Sequence, residues 1–549
     1  MRINTICSVT VGVLILLARA GAQDAAVPSE VQSALDHFSK SAFRANMRFL
    51  ADDLLEGRGT GTRGQELAAK YVAAQFEAFG LEPAGTNGSY LQPVPFREIT
   101  VDPAASECSM TLNGATTRLQ WGADCLIRGS ELAPDITVEA PVVFVGFGVV
   151  DRPRHYDDYA GIDVKGKIVA MLAGGPASFP AEERAHFAST VEKRRAAAAH
   201  GAVGIITLWT PTSETQLPWS RMPNQAEAPS FYWLDPNGVP NDSFKEIHGS
   251  AVLSIAAAER LFAGAPQSYA DALKAANAGN AHPFALAATV RLHTVSRHRE
   301  TTSPNVVGLL RGSDPAMSHE YVVFSAHTDH MGIGRPVNGD RIYHGAVDDA
   351  SGTSALIEMA RAFARLPKPP SRSILFLATT AEEKGLLGAH YFAHFPTVPA
   401  PSIVADLNMD GASVFYTFKD VIQDEHSTLG DTIGHVASRL GLKVSPDPMP
   451  EQLSFVRADH YAFVRQGIPA VTISEGLQAK DPGVDGRKFV ENWIEKRYHA
   501  PSDDMNQPLN FDASVQYMQM VFLVGYDVAQ QRQRPAWKSG DFFGQLFGR

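Results

Sequence analysis

The feature that most limits what this chain can fold into is a series of short apolar runs in its second half. These are VVGLL from Val306, YVVFSA from Tyr321, SILFLATT from Ser373, SIVADLNM from Ser402 and IPAVTI from Ile468. Helix-like stretches separate them, including one in which Leu356, Met359, Ala360 and Phe363 mark a single apolar face. Strands alternating with helices predict an α/β fold with a parallel or mixed central sheet flanked by helices. In such sheets ligands gather at the C-terminal ends of the strands.

Those ends carry the reactive side chains. YVVFSA runs into His327-Thr-Asp329-His330, SILFLATT into Glu382 and Glu383, and SIVADLNM into Asp410, while Asp348 and Asp349 introduce the helix just described. The irregular segment Tyr498-His499-Ala-Pro-Ser-Asp503 adds another histidine. Each element alone has an ordinary explanation: loop histidines are usually solvated, and acids at a helix start favour the positive end of its dipole. Together, two imidazoles and several carboxylates in one α/β unit make a nitrogen and oxygen ligand set suited to zinc. Adjacent acids such as Glu382 and Glu383 can divide the work, one holding a metal and the other moving protons. Asp406, inside its strand, reads as structural or without an assigned role.

The 549 residues exceed what one hydrophobic core usually organises. From Glu30 to Gly80 the pattern is helical, interrupted by GRGTGTRG at Gly57–Gly64. That loop follows no strand, so a structural turn suits it better than phosphate binding. From Glu139 the runs APVVFVGFGVV, GKIVAMLAG and GAVGIITLW, with an Ala-rich helix before His200, read as a small separate α/β module that returns through Ala256–Ala288.

At the N-terminus, Arg2, the apolar run Ile6–Leu17 and the small residues up to Ala22 predict a cleaved secretion signal, hence a secreted or periplasmic protein. The run is shorter than the roughly 20 residues that cross a bilayer, and no later run is long enough, so no membrane contact is expected after cleavage. Cys7 leaves with the signal. Cys108 and Cys125 make either a disulfide or two buried thiols. The net charge of −11, which becomes −13 once Arg2 and Arg19 are removed, argues against a nucleic-acid partner.

In order, the motifs HTDH, DDASG, AEEKGLLGAHYF, NMDG and YHAPSD, between Ser303 and Ala529, resemble the M28 family of zinc aminopeptidases. FLADDLLEGRGTGTRGQELAAKYVAAQF looks like the start of such enzymes. YDDYAGIDVKGKIV and AHGAVGIITL resemble a protease-associated domain inserted into the peptidase. The resemblance implies a zinc exopeptidase fold with a mixed, mainly parallel central sheet flanked by helices; after the signal peptide (1–22), the chain then divides into an N-terminal peptidase part (23–135), an inserted protease-associated domain (136–288) and a catalytic part (289–549).

It also implies two zinc ions per chain. His327, Asp348 and Asp410 would hold one, and Asp348, Glu383 and His499 the other, with Asp348 bridging and a cis peptide bond following it. Glu382 would be the general base. The Asp329 carboxylate would accept the other N–H of His327, and Tyr498 would donate to the developing oxyanion. FVRADH and GIP resemble the family's RSDH and GIP pattern, with Ala458 in place of the serine; Arg457 faces the cleft or is structural, and Asp459 with His460 organises the loop. The implied activity is removal of single amino acids from peptides with a free N-terminus. A one-zinc glutaminyl cyclase-like acyltransferase, a dipeptidase or carboxypeptidase, and a noncatalytic binding module are the competing readings. The filled ligand and base positions argue against a degenerate relative, and the oligomeric state is not legible.

Overall fold

The computed structural model describes residues 28–548. The secretion signal expected over residues 1–22, with Cys7, lies outside them. All five apolar runs of the second half enter one sheet. Ala470–Thr472, Ile403–Asn408, Tyr321–His327 and Ser373–Thr379 lie side by side in that order and run parallel, and Ser373–Thr379 then pairs antiparallel with Phe284–Leu310. This is the expected mixed, mainly parallel sheet.

Side chains alternate across it. Val322, Phe324, Ile374 and Phe376 enter one apolar layer, and Val323, Leu375 and Leu377 the other. Both faces are apolar because helices cover both. Ser29–Asp36, Lys40–Leu50, Arg63–Ala78, Gly352–Ala364, Leu429–Arg439 and Phe511–Gln530 cover the first face. Leu387–His394, His460–Val464 and Phe542–Phe547 cover the second. The helix Gly352–Ala364 corrects its one-faced reading: every residue from Gly352 to Ala360 is buried. It is enclosed between the sheet and the helices Lys40–Leu50, Arg63–Ala78 and Phe511–Gln530.

The stretch Ala256–Ala288 is not a plain return connection. It holds the helices Ile255–Leu261 and Tyr269–Asn277 and the start of the 27-residue strand Phe284–Leu310. That strand pairs with Asp135–Phe144 and Glu107–Leu112 through its first half, and with Leu91–Val101 and Ser373–Thr379 further on. It therefore carries the sheet from one half of the molecule into the other.

In the second half-sheet, Asp135–Phe144, Ile168–Leu172, Gly204–Leu208 and Ser250–Leu253 are parallel neighbours, with Cys125–Arg128 antiparallel at the edge. It has its own apolar layers, with Ile168, Ala170 and Leu172 to one side and Val169 and Met171 to the other. Glu107–Leu112, Ala115–Leu119 and Cys125–Arg128, which the sequence division leaves in the N-terminal part, make their strand pairs here. Of the two readings for Cys108 and Cys125 the structure shows buried free thiols. No helix among the described residues is long and apolar enough to cross a membrane.

Candidate metal centre

The C-terminal ends of the parallel strands meet in a cluster of acids and imidazoles. His327 closes its strand with its N–H donating to Asp349 at 3.2 Å and its carbonyl accepting from the Thr353 hydroxyl at 2.6 Å. Its Nδ1 lies 3.1 Å from the main-chain carbonyl of Asp329. This corrects the expected second partner, because the Asp329 carboxylate is 3.9 Å away. That carboxylate instead accepts the Glu382 N–H at 3.0 Å and the Thr60 hydroxyl at 3.1 Å. Asp329 thus ties together the two segments carrying His327 and Glu382, and the group that faces His327 Nδ1 is its main-chain carbonyl.

With Nδ1 occupied, His327 Nε2 faces Asp348 Oδ1 at 3.2 Å and Asp410 Oδ1 at 3.6 Å. The second oxygen of Asp348 lies 3.2 Å from His499 Nε2, which is 3.1 Å from Glu383 Oε2. The five side chains therefore come together as two groups that share Asp348, one carboxylate oxygen to each. The Asp348–Asp349 peptide bond is cis. Asp503 holds this segment by accepting the N–H groups of Val347 and Asp348, each at 3.1 Å.

Asp349 also approaches the first group, 4.0 Å from His327 Nε2, and its donor atoms lie within 4.8 Å of those of His327 and Asp410. Its oxygens already accept three backbone N–H groups, from His327, Gly352 and Gly411. Asp348 Oδ2 accepts none. Asp348 is the carboxylate free to bind. Ala381, Leu386 and His499 adopt left-handed backbone with φ of 57°, 60° and 53°. Such conformations in non-glycine residues cost on the order of 1 kcal/mol or more and concentrate at functional sites. Here they bracket Glu382 and Glu383 and orient His499.

The donor set fits zinc on two observations. His327 Nε2, Asp348 Oδ2 and Glu383 Oε1 are buried without a hydrogen-bond partner, a state that costs about 1–3 kcal/mol per group unless something else binds it. The separations of 3.1 to 3.6 Å match the roughly 3.3 Å between ligand atoms of a tetrahedral cation with bonds of about 2 Å.

The two neighbouring glutamates are driven in opposite directions. Burial pushes the Glu382 carboxyl well above the usual range, and Asp410, Glu383 and Asp459 add repulsion that His327 only partly offsets. Glu383 is held down at about 2: burial and Asp348 oppose its charge, but His330 and His499 outweigh them. Groups whose environments separate their proton affinities in this way suit different roles. The Tyr498 ring stacks on His499 with centroids 3.9 Å apart, and its phenol oxygen accepts from Arg457 at 3.0 Å. Asp459 accepts from the Thr379 hydroxyl, and His460 Nδ1 lies 2.7 Å from Thr472 Oγ1, so this pair joins strand ends beneath the site. Asp406 is buried inside its strand with neither oxygen hydrogen-bonded.

Three residues here had no role assigned from the sequence. Asp503 and His330 lie inside quoted motifs and escaped for want of a spatial partner. Arg58, in the GRGTGTRG loop, is buried and donates to the carbonyls of Thr328, His344 and Gly345 at 2.7 to 2.9 Å and to that of Leu50. The loop is the structural turn expected of it, and its guanidinium is committed to backbone.

Residues 305–524 match the family model described as "Peptidase family M28", a span that contains all five converging side chains and Glu382. Among curated proteins, the chain is 28% identical over 242 residues to the "probable leucine aminopeptidase 2" of Aspergillus oryzae, covering 41% of this chain and 44% of that protein. It is 35% identical over 105 residues to a "Probable zinc metalloprotease" of Pyrenophora teres f. teres, covering 19% of this chain and 22% of that one. The chain spans less than half the length of the curated relatives it matches. Among solved structures, an aminopeptidase from Aneurinibacillus sp. strain AM-1 superposes with a TM-score of 0.53 at 18% identity, covering 92% of this chain and 97% of that one. The fold is thus the one seen in that aminopeptidase.

Proposed function

We propose that this chain is an exported metallo-aminopeptidase that hydrolyses the N-terminal peptide bond of peptides with a free N-terminus. The observation that carries the reading is the gathering of His327, Asp410, Glu383 and His499 around the two oxygens of Asp348. The relatives named aminopeptidase and zinc metalloprotease support it.

His327, Asp348 and Asp410 would hold one zinc ion, and Asp348, Glu383 and His499 a second. When bound, the two cations supply Lewis acidity toward the scissile carbonyl and bring water within reach of deprotonation near neutral pH. Glu382, held above its usual range, takes the proton from the attacking water and delivers it to the departing amine nitrogen. Tyr498, steadied by Arg457 and the His499 ring, donates its phenol proton toward the developing oxyanion. Asp329 keeps Glu382 in register with His327. The half of the molecule built on Asp135–Phe144 to Ser250–Leu253 takes the part of the inserted protease-associated domain, limiting which substrates reach the cleft.

The test is release of free amino acid from matched peptides with free and blocked N-termini, with and without chelator. Chelator-sensitive cleavage of free peptides alone is expected. Release from the C-terminus of blocked peptides would replace this reading with a carboxypeptidase, and cyclisation of N-terminal glutamine at one metal per chain with a cyclase. Glu382→Gln should keep its metal content yet lose about 10²–10⁴-fold in turnover. Wild-type turnover in that variant would remove Glu382 from the base role.

A further inference from the structure

Next to the second group of side chains sits an imidazole that the reading above does not use. His330 is fully buried, and neither ring nitrogen has a hydrogen-bond partner. Its Nδ1 lies 2.6 Å from Glu383 Oε1 and 4.0 Å from Asp348 Oδ2, and these three residues offer donor atoms within 4.8 Å of one another. The His330 ring also lies edge-on to that of His499, with centroids 5.8 Å apart.

Its place is held by backbone. The His330 N–H donates to the Arg58 carbonyl at 3.1 Å, and the ring lies so close over Gly345 that a Cβ there would collide with it. Glu383 turns its two oxygens to different imidazoles, Oε1 to His330 and Oε2 to His499. The contact is shorter than the 3.1 to 3.6 Å between the other facing donor atoms but lacks the direction of a hydrogen bond, and with Asp348 Oδ2 the two atoms form one cluster of donors. A buried, unpartnered imidazole is costly unless a ligand occupies it.

We infer that His330 is a further ligand, through Nδ1, of the cation held by Asp348, Glu383 and His499. The inference rests on the two-cation reading above. It makes the two positions unequal: the first has one imidazole and two carboxylates, the second two imidazoles and two carboxylates. The second is then the tighter, more nitrogen-rich and coordinatively fuller position, and the first keeps the open coordination that a substrate needs.

The experiment is titration of the metal-free full chain with Zn²⁺ and with Co²⁺. It reads metal per chain after dialysis, the stepwise affinities and the visible absorption of bound Co²⁺. The wild type should show a tight and a weaker step. His330→Ala and His330→Gln should weaken the tight step at least tenfold and change the Co²⁺ spectrum, while Asp410→Ala acts on the weaker step. His499→Ala serves as the control for the position itself. If the tight step fails in His499→Ala but survives with an unchanged spectrum in both His330 variants, His330 is not a ligand and the two-cation reading stands. If it survives in all three, both readings fall. Using the Gln variant and confirming the apo melting transition of each protein separates ligand loss from misfolding.

Discussion

At the scale of single residues, Arg58 shows how a side chain far from the chemistry in sequence sets its geometry. Its guanidinium ties the carbonyls of Leu50, Thr328, His344 and Gly345, which belong to three separate segments around the site. Arg58→Met would leave these carbonyls without their donor, at a cost of about 3 kcal/mol or more. A lower melting temperature together with weaker zinc retention is expected, and wild-type values for both would show that the ties are redundant. Arg58→Lys should rescue little, because one ammonium cannot reproduce a planar fork with several donors. None of this was readable beforehand, since Arg in a glycine-rich loop looks the same whether it faces solvent or backbone. The strand-end acids and histidines were readable, because each sits at a place the fold class predicts.

At the scale of elements, the sheet's helical cover is set by close approach. Gly525, in the helix Phe511–Gln530, lies against the Phe324 ring, where a Cβ would collide. Phe324 is itself packed on Phe363 and Phe376, with centroids 5.4 and 5.8 Å away. Gly525→Ala should therefore destabilise the chain by about 1–3 kcal/mol through overpacking. Denaturant unfolding would measure it, and an unchanged midpoint would mean that Phe324 has room to turn. The five strands of the second half were legible because each is a continuous apolar run. The long stretch that leads into VVGLL, residues 284–305 of the same strand, was not, although burial alternates residue by residue from Leu286 to Ser296. Its small and polar residues match no apolar template, and its pairing partners are supplied by distant segments.

At the scale of the whole molecule, the two halves of the sheet are also joined through side chains. His426, from the half that carries the cluster of acids and imidazoles, places Nε2 at 2.8 Å from Glu182 of the helix Ala181–Ala188 and Nδ1 at 2.7 Å from Asp541 near the C-terminus. His186 of the same helix pairs with Tyr461 at 2.7 Å. Burial opposes charge on His426, but Asp541 and Glu182 hold its pKa up to about 10, against 6.5 for a free imidazole. A folded-state pKa raised in this way adds stability that is complete below about pH 6.5 and is lost as pH rises toward 10. The amount is on the order of a few kcal/mol. Melting temperature should fall between pH 7 and 10, and His426→Gln should melt lower at pH 6.5 with a flatter decline. A parallel pH profile for the two proteins would assign the loss elsewhere.

What the sequence alone determined is the class of fold, the sheet of the second half and the residues that gather at its strand ends. Those follow from local physics, in that apolar runs bury, helices intervene and ligating side chains collect where strands stop. What only the tertiary structure decided is which of two adjacent aspartates is free to bind and which atom of Asp329 meets His327. It also decided that His330 faces Glu383 and that one long strand runs through both halves. Each of these depends on which backbone donors and acceptors come within about 3 Å after the chain has closed on itself, and a linear pattern carries no record of that.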